Sequence, residues 1–193
     1  MTNHSTADAV FISRLGSANQ LWQTDFTYLK VIDWGRFYLS TILDDFSRFI
    51  IAWKLRTTMK ATNVTDTLDL ALQAPGFDQA NVVQRPRLLS DNGSSYISGV
   101  LVAWLKVWDM LHIRGALYHP VTQCKIERWN QTLKNRILLE NYYLPGDLEN
   151  QIEAFVQHYN YRRLAFPCPT RSLNSLTMIY FRWHGLMPCL MSV

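Results

Sequence analysis

The spacing of apolar residues changes once along this chain, and that change narrows the folds open to it. Three runs rich in β-branched and aromatic residues come first: Leu21 to Val31 (LWQTDFTYLKV), Arg36 to Leu43 (RFYLSTIL) and Arg48 to Leu55 (RFIIAWKL). Such runs read as strands. The intervals Asp33-Trp34-Gly35 and Asp44-Asp45-Phe46-Ser47 leave room only for tight turns, so an antiparallel meander is predicted. From Thr62 onward apolar residues return every three or four positions. Val64, Leu68, Ala71 and Leu72 mark a first helix, stopped at Pro75-Gly76. Val100, Leu101, Trp104, Leu105 and Trp108 mark one side of a second, from Tyr96 to Met110. Ile126, Trp129, Leu133 and Ile137 stripe a third, from Lys125 to Asn141, and Asp147 to Arg163 reads as a fourth. Short apolar strands at Arg87 to Ser90 and Leu111 to Ala116 fall between the helices. Strands and helices in this order describe a mixed α/β domain.

A length of 193 residues suits one such domain, with residues 1–20 as a polar lead-in and 164–193 as an atypical tail. Hydrophobic residues make up 48% and charged residues 18%, enough for a full core and too apolar for a disordered chain. The net charge of +4 permits a polyanionic partner without demanding one. Cys124, Cys168 and Cys189 are widely spaced, with no CxxC, so neither a zinc site nor a disulfide framework is indicated. A basic segment followed by an apolar run is missing from the first 20 residues, and no window approaches ~18 consecutive apolar residues. The expectation is a cytoplasmic protein with no membrane partner.

Three carboxylates stand out by placement. Asp25 lies inside a strand, where an uncompensated charge is expensive. Asp91 follows the fourth strand directly, at the carboxyl end where α/β sheets build sites. Glu127 opens a helix after a long loop, and 35 residues separate it from Asp91. Singly, each has a plain structural reading: a solvated strand residue, Asp-Asn-Gly turn chemistry, a helix-dipole partner.

Together, WQTDFTYLKV (Trp22 to Val31), LLSDNGSSYIS (Leu88 to Ser98) and HPVTQCKIERWNQTLKNRI (His119 to Ile137) resemble the three motifs of the DDE superfamily. These are the catalytic cores of transposases and retroviral-type integrases. Within them the chain is most similar to the second reading frame of bacterial copy-paste insertion-sequence transposases, and the 35-residue spacing is that of the D,D(35)E subset. The resemblance spans about Leu21 to Arg163. It implies a ribonuclease-H-like fold: α/β, a five-stranded mixed sheet flanked by helices. It also implies metal-dependent DNA strand cleavage and strand transfer, with Asp25, Asp91 and Glu127 in the catalytic and metal-holding positions.

Three oxygen donors suit hard divalent cations, Mg²⁺ or Mn²⁺ in a two-metal site, better than zinc. Asn130, Gln131 and Lys134 share the face of Glu127 at offsets of three, four and seven. By resemblance they are candidate DNA contacts, with Lys134 foremost and Lys125 and Arg128 adding charge nearby. The implied partners are DNA (element ends and target), further copies of this chain, and an upstream-frame DNA-binding transposase protein. The implied location is the bacterial nucleoid. An alternative is a catalytically silent remnant that binds DNA or intact transposase. In the family's third motif, usually QGKxER, this chain carries Cys124 at the glycine position. If glycine serves there for its left-handed freedom, cysteine is expected to strain the loop that delivers Glu127.

Overall fold

The protein is described by a computed structural model covering residues 18–74, 85–115 and 123–163. Its elements are β1 (Leu21–Val31), β2 (Gly35–Asp44), β3 (Ile50–Arg56), α1 (Ala61–Leu72), β4 (Arg87–Ser90), α2 (Gly99–Val107), β5 (His112–Arg114), α3 (Cys124–Ile137) and α4 (Pro145–Arg163). The element order is that expected from the apolar period, with ends displaced by up to a turn of helix. His119, the tail from 164 and most of the lead-in lie outside the described residues.

The first three strands form the predicted meander. β1 pairs antiparallel with β2 from Trp22↔Asp44 to Val31↔Gly35, and β2 pairs antiparallel with β3. The β1–β2 turn closes through left-handed residues, Asp33 at φ 64° and Gly35 at φ 88°. β4 then joins β1 in parallel over Leu21, Trp22 and Gln23 alone, and carries β5 on its far side. The sheet order is β3-β2-β1-β4-β5. Beyond Gln23, β4 and β1 part, which opens the sheet at its middle.

Side-chain alternation along β1 builds two cores. Leu29 and Val31 pack with Ile126, Trp129, Leu133 and Ile137 of α3 and with Leu148, Ile152 and Val156 of α4. Trp22, on the opposite face, packs with Val64 and Leu68 of α1 and Leu101 and Leu105 of α2. The α2 stripe is narrower than its sequence suggests. Leu101 and Leu105 are buried, whereas Val100 is 50% and Trp108 36% exposed. The helix starts only at Gly99 and packs on α1 through Leu101 and Leu105 with Trp104 beside them, so the other apolar residues face solvent.

Trp129 anchors the first core. It is fully buried, stacked on Phe155 at 5.7 Å and met edge-on by Tyr159 at 4.5 Å. Trp129→Ala is expected to destabilise the domain by about 3–5 kcal/mol, read as a shift of the urea midpoint at unchanged slope. Asn160 of α4 closes the outer edge of β3. Its amide accepts from Ile50 N–H at 2.9 Å and donates to Ile50 C=O at 3.1 Å, in the manner of a neighbouring strand. Among the described residues no helix is long and apolar enough to cross a membrane.

Candidate active site

The opening between β1 and β4 is where the chain's direction of travel across the sheet reverses. From β1 the meander runs to β2 and β3; from β4 the sheet continues to β5 on the other side. Ligand crevices form at such switch points, outside the strands' carboxyl ends. Asp25 lies two residues past the last β1–β4 pair, and Asp91 directly follows β4. Glu127, in the first turn of α3, completes the group.

Their proximity is visible in the electrostatics. Burial pushes the Asp25 carboxyl up to about 6, and the charges of Asp91 and Glu127 push in the same direction. The backbone N–H of Phe26, at 2.8 Å, and the Asn130 side-chain amide, at 2.9 Å, oppose this by donating to the carboxylate. Tyr96, buried against Phe26, feels the same charges: burial first, then Asp25 and Asp91, hold its hydroxyl well above its ordinary pKa.

Each acid is held by its own local device. Asp91 accepts from Gly93 N–H at 2.8 Å, and a Cβ on Gly93 would stand 3.0 Å from that same oxygen, so a larger residue would press the carboxylate aside by a few tenths of an ångström. Asn92 donates to Gly115 C=O at 2.8 Å, and Ser90 donates to the Asp91 carbonyl at 2.9 Å, which ties the loop to the end of β5.

Glu127 is placed from farther away. The side chain of Gln23, fully buried two residues before Asp25, accepts from Ile126 N–H at 3.1 Å and donates to Asp45 at 2.7 Å. Lys125 ion-pairs with the same Asp45 at 2.5 Å. This clamp fixes the first turn of α3 against β1 and the β2–β3 turn. Sequence reasoning missed it, treating Asp45 as turn chemistry. The available signal was Gln23, a polar residue on the same strand face as Asp25.

The candidate DNA contacts occupy different surroundings. Asn130 is 7% exposed and turned to Asp25. Lys125, expected among the cations near the DNA, is ion-paired with the buried Asp45. Arg128 and Gln131 are exposed, with Gln131 donating to Asn135 at 2.7 Å. Lys134 reaches Tyr28 on β1, its ammonium 4.3 Å from the ring centre. Cys124 is an exposed first residue of α3, and its φ is not among the left-handed ones. The strain expected of a cysteine there is therefore absent. Cys124→Gly is expected to change DNA cleavage less than about twofold, since a helix's first residue needs no special φ; a gel time course at saturating Mn²⁺ checks it.

No three His, Cys, Asp or Glu side chains among the described residues are arranged closely enough to enclose an ion as they stand. The donor chemistry nonetheless fits one. Three carboxylates, with Asp25 raised by burial and further by the charges of the other two, form an all-oxygen set of the kind that Mg²⁺ or Mn²⁺ takes.

A family model described as an integrase core domain matches residues 17–120, more than half of the chain, and a second of the same description matches 109–177. The chain belongs to the integrase core domain family. The transposase for insertion sequence element IS629 of Shigella sonnei is 30% identical over 151 residues, covering 76% of this chain and 47% of that protein. The transposase for insertion sequence element IS904 of Lactococcus lactis is 25% identical over 157 residues, covering 79% and 59%. The chain thus spans about half the length of these curated relatives.

Solved structures agree on the fold of this integrase core domain. The catalytic domain of Mos1 mariner transposase superposes with a TM-score of 0.67 at 13% identity, covering 85% of this chain and 89% of that one. The HTLV-2 integrase catalytic core domain in complex with magnesium superposes with a TM-score of 0.58 at 19% identity, covering 84% and 97%. The fold is ribonuclease-H-like, with five strands in mixed order and four helices among the described residues.

Proposed function

We propose that this integrase core domain is the catalytic part of an insertion-sequence transposase, and that it cleaves DNA and joins the freed 3′ end to a new site. The observation that carries this reading is the electrostatic coupling of Asp25 with Asp91 and Glu127 at the open middle of the sheet. A buried carboxyl pushed to about 6 by burial and two like charges is an arrangement that divalent cations relieve. Asp25, Asp91 and Glu127 would hold Mg²⁺ or Mn²⁺. Such ions, when bound as a pair, activate an attacking hydroxyl and stabilise the leaving oxygen of an in-line phosphoryl displacement.

The chain's own groups do the positioning. Asn130 orients one Asp25 oxygen and Phe26 N–H the other, leaving the carboxylate in a single pose. The Gln23–Asp45–Lys125 clamp holds α3 so that Glu127 faces the opening. Lys134, with Arg128 and Gln131 on the exposed side of α3, supplies phosphate contacts that hold the scissile bond over the carboxylates. Lys125 serves this interface through the clamp. The proposed partners are DNA, further copies of this chain and an upstream-frame DNA-binding protein. Residues 21–163 form the proposed catalytic unit, acting in the cytoplasm at the nucleoid.

The test is strand transfer by the purified chain on duplex DNA carrying the element's terminal repeats. Joined products that depend on Mn²⁺ or Mg²⁺ are the expected result. DNA binding without joined products, with either metal and with both ends, supports the silent remnant instead.

A further inference from the structure

The short parallel pair of β4 and β5 carries a chain of side-chain hydrogen bonds that ends on Asp91. His112 is opposite Leu88 in the register, so it lies on the same sheet face as Ser90. Its Nε2 stands 2.8 Å from Ser90 Oγ, and that hydroxyl donates to the Asp91 carbonyl at 2.9 Å. A serine hydroxyl has one hydrogen to give. With that hydrogen spent on Asp91, the His112 contact is a hydrogen bond only if Nε2–H donates, which fixes the tautomer. Burial, with the charge of Arg114 adding to it, pushes the imidazole down to about 4, so the ring is neutral at neutral pH. Strand pairing does not need this chain. Backbone bonds from Leu88 N–H to Leu111 C=O at 2.8 Å and from Gly115 N–H to Ser90 C=O at 2.9 Å already join the two segments.

We infer that His112 is a positioning residue for the carboxylate site: through Ser90 it holds the Asp91 peptide, and with it the carboxylate, in place for a divalent cation. Asp91 is the first residue past β4, so the strand's own pairing no longer sets its direction. The other bonds of its loop, Gly93 N–H to Asp91 and Asn92 to Gly115 C=O, lie in solvent, where water competes for the same groups. Ser90 is fully buried and escapes that competition. The Nε2–H of His112 occupies one side of the hydroxyl, which leaves its hydrogen a single target, the Asp91 carbonyl. Each acid then has a tether from outside the site: Asn130 for Asp25, Gln23 through Ile126 N–H for Glu127, and His112 through Ser90 for Asp91. Groups that orient a metal ligand in this way matter about 10- to 100-fold for metal affinity. This inference rests on the transposase reading, in which Asp91 holds metal, and adds a residue that acts on the metal only through others.

Two measurements on the full chain test it. In the first, Mn²⁺ binding is followed by the electron paramagnetic resonance signal of the free ion. His112→Leu and Ser90→Ala are each expected to raise the Mn²⁺ concentration for half-saturation by about tenfold. His112→Gln, whose amide can donate to Ser90 in place of Nε2–H, is expected to stay within about threefold of the parent. Parent-like Mn²⁺ binding by either His112→Leu or Ser90→Ala overturns the inference. So does His112→Gln binding as weakly as His112→Leu, because the hydrogen bond would then not be the cause. The second measurement needs only the folded parent: the ¹⁵N shifts of the His112 ring at neutral pH are expected to show hydrogen on Nε2 and none on Nδ1. The reverse tautomer overturns the inference. Asp91→Asn, titrated with Mn²⁺ in parallel, separates the two readings. Weakened binding by Asp91→Asn beside parent-like His112→Leu retains the metal site and removes the tether. Equal Mn²⁺ binding by the parent and Asp91→Asn removes Asp91 from the metal site, and the inference with it.

Discussion

Asp25→Asn, Asp91→Asn and Glu127→Gln are each expected to reduce strand transfer by on the order of 1,000-fold or more, to the background of the assay. Each keeps side-chain volume and removes one negative oxygen donor. The chemistry proposed for this site depends on cations held against a developing phosphoryl charge, and losing one preorganised electrostatic partner of this kind costs roughly 100- to 1,000-fold elsewhere. Losing a metal ligand adds lost occupancy to that. Binding to DNA should change little, because Lys134, Arg128 and Gln131 do not depend on the acids for their placement. The three variants need separate readings, since their surroundings differ: Asp25 is partly buried, whereas Asp91 and Glu127 are exposed. Full activity in any one variant removes that residue from the site.

The second large effect has the opposite sign and concerns stability. In chelator at pH 7.5, Asp25→Asn is expected to melt several degrees above the parent. The Asp25 carboxyl is raised from 3.8 to about 6, by burial first and by Asp91 and Glu127 in addition. Between those two values the folded chain binds more protons than the unfolded chain, so stability falls as pH rises through that window. The favourable share is complete below about 3.8 and gone above about 6. A shift of roughly two units corresponds to about 3 kcal/mol at neutral pH, an upper figure. At about 2–4 °C per kcal/mol for a domain of this size, the amide variant gains several degrees. The asparagine's single oxygen can accept from only one of Phe26 N–H and Asn130, so the gain expected is net of one hydrogen bond.

Near pH 4 the gain should vanish, because the parent's Asp25 is then neutral in the folded state. Millimolar Mn²⁺ should raise the parent's melting temperature and leave Asp25→Asn largely unmoved. A variant that melts at or below the parent at pH 7.5 in chelator would show that the charge is already compensated without metal. Differential scanning calorimetry at the two pH values, with and without Mn²⁺, decides the matter.

The stability cost and the catalytic proposal come from the same geometry. Three carboxylates are brought together where two strands part, and the fold tolerates their repulsion because the opening is half-solvated and Asn130 and Phe26 N–H share the Asp25 charge. Gly93 illustrates how closely the site is drawn, since a Cβ there would press on the Asp91 oxygen.

The amino-acid sequence by itself determined the local elements of this protein. The β-rich runs before Leu55 and the helical stripes after Thr62 depend only on neighbours a few positions apart, so periodicity made the meander and the helices legible. The acids were legible as candidates for a related reason: Asp25 within an apolar strand, Asp91 at a strand's end and Glu127 at a helix's start are locally conspicuous. What only the tertiary structure decided rests on contacts between residues far apart in the chain. The Gln23 bond to Ile126 spans 103 positions and the Lys125–Asp45 pair spans 80, so no local period announces either. Those contacts pair Lys125 with Asp45 and bury Asn130 against Asp25. They also set Lys134 over Tyr28, at an edge that exists because β4 leaves β1 after three pairs. Burial and charge at a position follow from what packs beside it, and for these residues the neighbours come from distant parts of the chain.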